Sequence, residues 1–132
     1  MRAVDHIGIA VRSIEERLKL YRILGLEASS EEEVASEKVR VAFLPAAGTR
    51  IELLEPTAAE SPIGSFLAKR GEGIHHICFR VEDIRATMSE LKARGFRLLS
   101  EEPLPGAEGS LVCFIHPSSG GGVLIELSQP GR

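Results

Sequence analysis

The sequence predicts an α+β fold in which two tandem βαβββ modules form a curved mixed sheet, a cup with the helices outside. The first observation is a repeat at an offset of seventy residues: the segment 4–11 matches the segment 74–81, with a histidine at the third position of each. Both segments alternate apolar and polar residues, which is the period of a strand with one buried face. Each segment is followed by a helical pattern and then by three more strand patterns.

The first module is predicted to span residues 1–56 and to begin with a strand over residues 1–11. Ser13 and Glu16 have the spacing of a capping box, so a helix over residues 13–24 is expected to begin there. Gly25 then ends this helix in a left-handed conformation. Three further strands are predicted over residues 26–32, 38–44 and 50–55, with a turn over 45–49.

A linker over residues 57–72 is predicted to carry a short helix, with Ser61 as its cap and Pro62 as its first residue. The second module, 73–132, repeats the order of the first. Asp83 is expected to cap a helix over 83–94. The strands of this module are predicted over 74–81, 96–100, 110–115 and 123–128. We therefore expect residues 1–132 to form a single domain made of two repeated modules.

Composition excludes several classes of function. The net charge is −3 with Lys and Arg interleaved among Glu, so no nucleic-acid-binding surface is predicted. No apolar run approaches the ~18 residues of a membrane span, and a signal peptide is not evident, so a cytoplasmic protein without membrane contacts is expected. Cys78 and Cys113 both lie in predicted strands. We expect them to be buried thiols and not a disulfide.

The alternation of the strands predicts which polar side chains face the cup. If Ile7 and Ile9 pack under the helix, His6 faces the cup, and the same rule applied to the other strands adds three more residues. The four residues are His6, Glu52, His76 and Glu126. A lone strand histidine is more often structural, but a carboxylate within the apolar strand 123–128 costs several kcal/mol to bury unpaired. Two imidazoles and two carboxylates suit Co²⁺, Mn²⁺, Ni²⁺ or Zn²⁺. We interpret His75 and His116 as structural.

Five stretches of the chain resemble the methylmalonyl-CoA epimerases of the vicinal oxygen chelate superfamily, nearly from end to end. The first strand motif is found across the superfamily, whereas the linker helix, the Gly-Ile-His-His segment and the closing strand are more specific to the epimerases. The matching stretches are residues 5–11, 51–56, 61–63 with 66–67, 71–77 and 121–127.

The resemblance implies a metal-dependent epimerase that interconverts the (2R) and (2S) forms of methylmalonyl-CoA by C2 proton abstraction through a metal-stabilised enolate. It implies a divalent ion, with Co²⁺ as the first choice, and a homodimer. Glu126 is then both a metal ligand and a catalytic acid/base. The second acid/base of some relatives lies on the strand that corresponds to residues 39–44, where Arg40 stands here, so that Glu37 or a water would have to replace it.

Contacts to the coenzyme are less specific in the sequence. Lys69 and Arg70, or the backbone amides of the glycine-rich turns at 106–109 and 120–122, are candidates for binding its phosphates. Ser118 stands where the resemblance leads us to expect a lysine.

Three other functions fit the same fold. A glyoxalase I-type lyase acting on a thiol hemithioacetal also uses two histidines and two glutamates, and turnover of the two substrates separates it from an epimerase. An extradiol dioxygenase requires two histidines and one carboxylate around Fe²⁺. A non-catalytic small-molecule-binding protein generally lacks a metal, which metal analysis of the purified protein detects.

Overall fold

The computed structural model describes residues 3–131, which form three α-helices, eight strands and two short 3₁₀ turns. The elements up to the linker helix are β1 (Ala3–Ala10), α1 (Ile14–Ile23), β2 (Ser30–Val34), a 3₁₀ turn (Ala35–Glu37), β3 (Val39–Ala46), β4 (Thr49–Pro56) and α2 (Pro62–Arg70). The remaining elements are β5 (Gly73–Arg80), α3 (Ile84–Ala93), β6 (Leu104–Pro105), a 3₁₀ turn (Ala107–Gly109), β7 (Leu111–Ile115) and β8 (Leu124–Gln129). Each half is a βαβββ module, and the predicted fold class is confirmed.

Contacts divide the chain into two compact units. One unit contains residues 6–75, and the other contains residues 76–131 together with the first described residues of β1.

In the unit of residues 6–75 the strands lie in the order β2-β3-β4-β1. β2, β3 and β4 are antiparallel neighbours, and β1 is parallel to β4. The parallel pair requires a crossover, and the chain between β1 and β4 contains α1, β2 and β3. In this register Glu52 of β4 lies between Gly8 of β1 and Phe43 of β3.

The other unit repeats this arrangement with the order β5-β8-β7-β6. β5 is parallel to β8, and β7 is antiparallel to β8. Glu126 of β8 lies between Cys78 of β5 and Phe114 of β7. The register therefore places Glu126 where Glu52 lies in the first unit, as the repeat in the sequence predicts.

The sheet of the first unit is covered on both faces, and the two faces have different helices. One core cluster joins α1 to the sheet through Ile14 and Leu18, which pack with Val11, Leu44 and Leu53. A second cluster joins α2 to the opposite face, and its buried members are Ala10, Val39, Val41, Leu54, Ile63 and Leu67. Ile9 and Ile51 also contact the α1 cluster. The alternation predicted for β1 and β4 is therefore confirmed.

The core of the second unit lies between its sheet and α3. Ile84 and Met88 of α3 are buried against the strands, together with Val81, Cys113, Ile115 and Leu127. Cys78 and Cys113 are both buried free thiols, as predicted.

The helix starts follow the predicted caps. The Ser13 Oγ accepts from the amide of Glu16 at 3.2 Å, Ser61 and Asp83 cap α2 and α3 in the same way, and Pro62 is the first residue of α2. The prediction that Glu16 completes a capping box is not what the structure shows. The Glu16 carboxylate instead lies 2.9 Å from Lys19 Nζ, because residues three apart are neighbours on a helix surface.

Two predicted strands are corrected by the structure. Residues 96–100 form only an isolated bridge, between Leu98 and Ile115, while Phe96 and Leu99 are exposed. The edge of β7 is instead paired by β6, which lies in the stretch predicted to be loop. The strand predicted over 26–32 begins and ends later, as β2. Residues 1 and 2 of the predicted first strand lie outside the described residues.

No helix within residues 3–131 combines the length and the apolar character that crossing a membrane requires.

Candidate functional site

His6 and Glu52 form what we call the first pair. His6 lies on β1 and Glu52 on the adjacent β4, opposite the α1 face of the sheet. Both residues are buried, with 7% and 8% of their surface exposed. The His6 Nδ1 is 3.6 Å from the Glu52 Oε2, which is too long for a direct hydrogen bond. Gly8, which pairs with Glu52 in the register, has no side chain.

Arg50 is a third polar residue of this group. It precedes Glu52 by two residues on β4, so the two side chains share one face of the strand. The Arg50 Nε donates to the Glu52 Oε2 at 2.8 Å, and its Nη2 lies 3.4 Å from the His6 Nδ1. Its guanidinium also lies 5.8 Å from the centre of the Phe43 ring. Sequence reasoning missed this residue, although the two-residue spacing was a signal for it.

His76 and Glu126 form the second pair, on β5 and β8. The His76 Nε2 is 3.6 Å from the Glu126 Oε1, and only 12% and 14% of the two side chains are exposed. The nitrogen–oxygen distance of the first pair is thus repeated at the equivalent residues, although His6 approaches its glutamate through Nδ1 and His76 through Nε2. Burial, together with the charge of Glu126, raises the pKa of the nearby Cys113 to about 11, so this thiol is neutral at physiological pH.

Each pair fits a metal ion by its donor types and by its spacing. Two donors at about 2.1 Å from one ion are about 3.0 Å apart at a right angle and about 3.4 Å apart at the tetrahedral angle. The observed 3.6 Å is a few tenths of an ångström longer in both pairs. Imidazole nitrogen and carboxylate oxygen are ligands shared by Co²⁺, Mn²⁺, Ni²⁺ and Zn²⁺. The structure thus pairs His6 with Glu52 and His76 with Glu126, as half-sites that suit such an ion.

Comparison with known proteins agrees with this fold. Residues 5–114 match the family model of the glyoxalase/bleomycin resistance protein/dioxygenase superfamily. The chain is 43% identical to an ethylmalonyl-CoA/methylmalonyl-CoA epimerase of Cereibacter sphaeroides, over 96% of each chain. It superimposes on the crystal structure of methylmalonyl-CoA epimerase from Mycobacterium tuberculosis with a TM-score of 0.85 and 38% identity, covering 98% of this chain and 88% of that one.

The chain belongs to the methylmalonyl-CoA epimerase family. A further member of the family, solved in complex with methylmalonyl-CoA and an ammonium ion, matches with a TM-score of 0.82 and 38% identity over 96% of this chain and 93% of that one. The predicted resemblance is therefore confirmed.

The residue that we expected at the place of the second acid/base of the epimerases, Arg40, does not face Glu52. Its guanidinium contacts Glu31 at 3.0 Å and Glu55 at 3.7 Å. The β3 side chains on the Glu52 face are Val39, Val41, Phe43 and Pro45, because Phe43 pairs with Glu52 in the register. None of these four side chains has an acidic or basic group. Glu37 is exposed in the 3₁₀ turn before β3.

Glu32 is the β2 carboxylate on the Glu52 face. It lies across from Val41 in the antiparallel register, so their side chains point to the same face of the sheet. Glu31, one residue earlier, points to the other face, where it contacts Arg40.

The other two histidines have contacts consistent with structural roles in this family member. The His75 ring packs edge-on against Phe66 of α2, with 5.1 Å between the ring centres, and burial lowers its pKa. The His116 Nδ1 accepts from the amide of Ser118 at 2.9 Å and lies 2.8 Å from the Ser118 hydroxyl. Ser118, found where the epimerase resemblance predicts lysine, therefore shapes the turn after β7.

The candidate coenzyme contacts lie at the surface. Lys69 and Arg70 are in the last turn of α2, and the Arg70 guanidinium lies 5.8 Å from the centre of the Phe66 ring. Gly121 and Gly122 both have positive φ in the turn before β8. Their binding to a coenzyme stays a prediction.

Proposed function

We propose that the chain is a metal-dependent epimerase that interconverts the (2R) and (2S) forms of methylmalonyl-CoA by removing and returning the C2 proton. The observation that carries this proposal is the pair of equivalent His–Glu half-sites in a chain about 40% identical to named epimerases. A relative solved with methylmalonyl-CoA supports the choice of substrate.

We propose that the two pairs together bind one divalent ion, with His6, Glu52, His76 and Glu126 as its ligands. Co²⁺ is our first choice, and Mn²⁺, Ni²⁺ and Zn²⁺ suit the same donors. When bound, the ion supplies Lewis-acid stabilisation of the negative charge that develops on the thioester oxygen. The charges of the two glutamates neutralise that of a divalent ion. A bound ion would therefore compensate the cost of burying these two carboxylates.

Glu126 is proposed to move the C2 proton as well as to bind the ion. Its Oε1 lies 3.6 Å from the His76 Nε2. Epimerisation also needs proton transfer on the opposite face of C2. No β3 residue on the Glu52 face provides it, so this transfer falls to water or to Glu32, the β2 carboxylate on that face.

Apolar residues of the first unit surround its half of the site. Val41 and Leu54 are buried on the Glu52 face, and Phe43 is partly buried beside them. We propose that these side chains exclude water from the reacting carbon. Exclusion of water strengthens the electrostatic interactions made with the substrate.

The direct test is turnover of each methylmalonyl-CoA epimer by the purified protein loaded with Co²⁺, followed by chiral separation of the products. The proposal requires both epimers to reach the same equilibrium mixture. A hemithioacetal of glutathione serves as the comparison substrate, because turnover of it alone would favour the glyoxalase I-type lyase. Metal binding without either reaction would instead favour a binding protein.

Two further features stay predictions. We propose that the two modules with their linker at 57–72 form a single domain, and the cytoplasmic location rests on the sequence alone.

A further inference from the structure

Arg50 places a cation beside the first pair, at a position where the second module has Leu124. By the repeat, Arg50 corresponds to Leu124, since each precedes the glutamate of its pair by two residues on the same strand. We propose that Arg50 is a substrate-binding residue that holds Glu52 in the metal-free protein, releases it to the ion and then binds the carboxylate of the acyl-CoA substrate. This inference rests on the proposed function.

Arg50 contacts the two atoms at which the first pair would bind an ion. The His6 Nδ1 and the Glu52 Oε2 are the atoms that approach each other, and Arg50 lies 3.4 Å from the first and 2.8 Å from the second. An ion between them would sit at about 2.1 Å from each atom. The guanidinium and the ion therefore compete for the same carboxylate oxygen, and the divalent ion binds it more strongly.

The Arg50 side chain is more exposed than that of its partner Glu52. Its side chain is 38% exposed, whereas that of Glu52 is 10% exposed, so Arg50 reaches the pair from the rim. The Phe43 ring, 5.8 Å away, offers a cation–π contact outside the pair. Arginine stays protonated at every physiological pH, so the released guanidinium keeps its charge beside the ion.

The charges of the loaded site favour this second role. Two carboxylate ligands neutralise a divalent ion, and the substrate then brings a further carboxylate into a partly buried site. A guanidinium matches a carboxylate with two parallel hydrogen bonds and restores neutrality. Arg50 lies on the Glu52 face of β4, where this carboxylate would arrive. A malonyl-type thioester, which has a free carboxylate, is then the preferred class of substrate.

The first arm of the test measures Co²⁺ binding by calorimetry in the absence of substrate. Arg50→Leu reproduces the residue of the second module, and Arg40→Leu is the matched control, because Arg40 forms a 3.0 Å ion pair with Glu31 on the opposite face. We expect Arg50→Leu to bind Co²⁺ more tightly than the parent and Arg40→Leu to bind it equally. Equal affinity in Arg50→Leu, or the 10–100-fold loss typical of a residue that only supports a ligand, overturns the inference.

The second arm measures KM and kcat for methylmalonyl-CoA at saturating Co²⁺. Arg50→Leu should raise KM by about tenfold or more, with a smaller change in kcat, because it loses a charge-assisted contact to the bound substrate. Arg50→Lys keeps the charge and should recover part of the affinity. An unchanged KM in Arg50→Leu contradicts the substrate role. Unfolding midpoints show whether Arg50→Leu has a folding defect. Arg50→Lys then provides a second variant on which KM can be measured.

Failure of this inference differs from failure of the proposed function. If the parent protein binds Co²⁺ and epimerises methylmalonyl-CoA, and Arg50→Leu has the same Co²⁺ affinity and the same KM, only the role of Arg50 is contradicted and the proposed function stands. A parent protein that binds no divalent ion overturns the proposed function and the inference together.

Discussion

Glu126 is the residue at which the ligand role and the proton-carrying role have to be separated. Glu126→Gln keeps the shape and one oxygen donor but removes the charge and the base. We expect the variant to bind Co²⁺ more weakly and to stay inactive at saturating Co²⁺, since an amide is no base near neutral pH. Steady-state epimerisation across a Co²⁺ titration measures this.

The control for that titration is Glu101→Gln, which removes a carboxylate whose side chain is 96% exposed. It should behave like the parent. Full recovery of activity in Glu126→Gln at saturating Co²⁺ would leave Glu126 as a ligand only.

His75 and His76 are adjacent residues with opposite expected effects on metal binding. His76→Ala removes a proposed ligand and should lose most of the bound metal and nearly all activity. His75→Ala should retain its metal, because His75 packs against Phe66. Metal content of the two purified proteins by elemental analysis checks this. Equal content in both would show that the assignment of the strand faces is wrong.

Alternation predicted which side chains of β1 and β4 share a face, but it could not predict contacts between strands. The pairing of Phe43 with Glu52 sets which β3 residues lie beside the first pair, and a sequence does not state that register. Arg40 was therefore expected near the site although it lies on the α1 face. The same limit hid the contact between Arg50 and His6.

At the scale of elements, both modules use the end of their last strand to hold the start of their helix. The Glu55 Oε1 accepts from the amide of Ile14 at 2.8 Å, and the Gln129 Oε1 accepts from the amide of Ile84 at 2.9 Å. The first amides of a helix have no partner within it, so these side chains satisfy one each. The repeat thus includes the contacts that fix α1 and α3 to the sheet.

Glu55→Ala should lower the free energy of unfolding by about 1–2 kcal/mol, because it removes a charge-assisted bond at a helix N-terminus. Urea unfolding followed by circular dichroism measures the difference. Glu31→Ala is the matched control, since Glu31 also contacts Arg40 but no helix amide. Its expected loss is below about 1 kcal/mol, as for an exposed ion pair. An equal loss in the two variants would contradict the capping role.

Helix starts were predictable because a cap is a local pattern, as at Ser13, Ser61 and Asp83. The strand predicted over 96–100 failed for a non-local reason. Leu98 alone of that stretch packs against the α3 core, while the β7 edge is paired by Leu104 and Pro105. Competition between two segments for one strand edge is decided by tertiary packing, which short sequence windows do not contain.

At the scale of the whole molecule, the family resemblance predicts a homodimer. Leu20, Ile23 and Leu24 of the α1 region are large apolar residues with more than half of their surface exposed in the single chain. Sedimentation equilibrium at micromolar concentration should give twice the chain mass of 14.3 kDa. A mass equal to that of one chain would contradict the dimer.

Solvent deuterium incorporation at C2 of methylmalonyl-CoA measures whether this chain uses a divalent ion to exchange the C2 proton. With Co²⁺-loaded protein in deuterated water, mass spectrometry should show one deuterium entering C2. Incorporation should stop when a chelator strips the ion and return when Co²⁺ is restored. Undiminished incorporation in the stripped protein, or none in the loaded protein, would contradict the account.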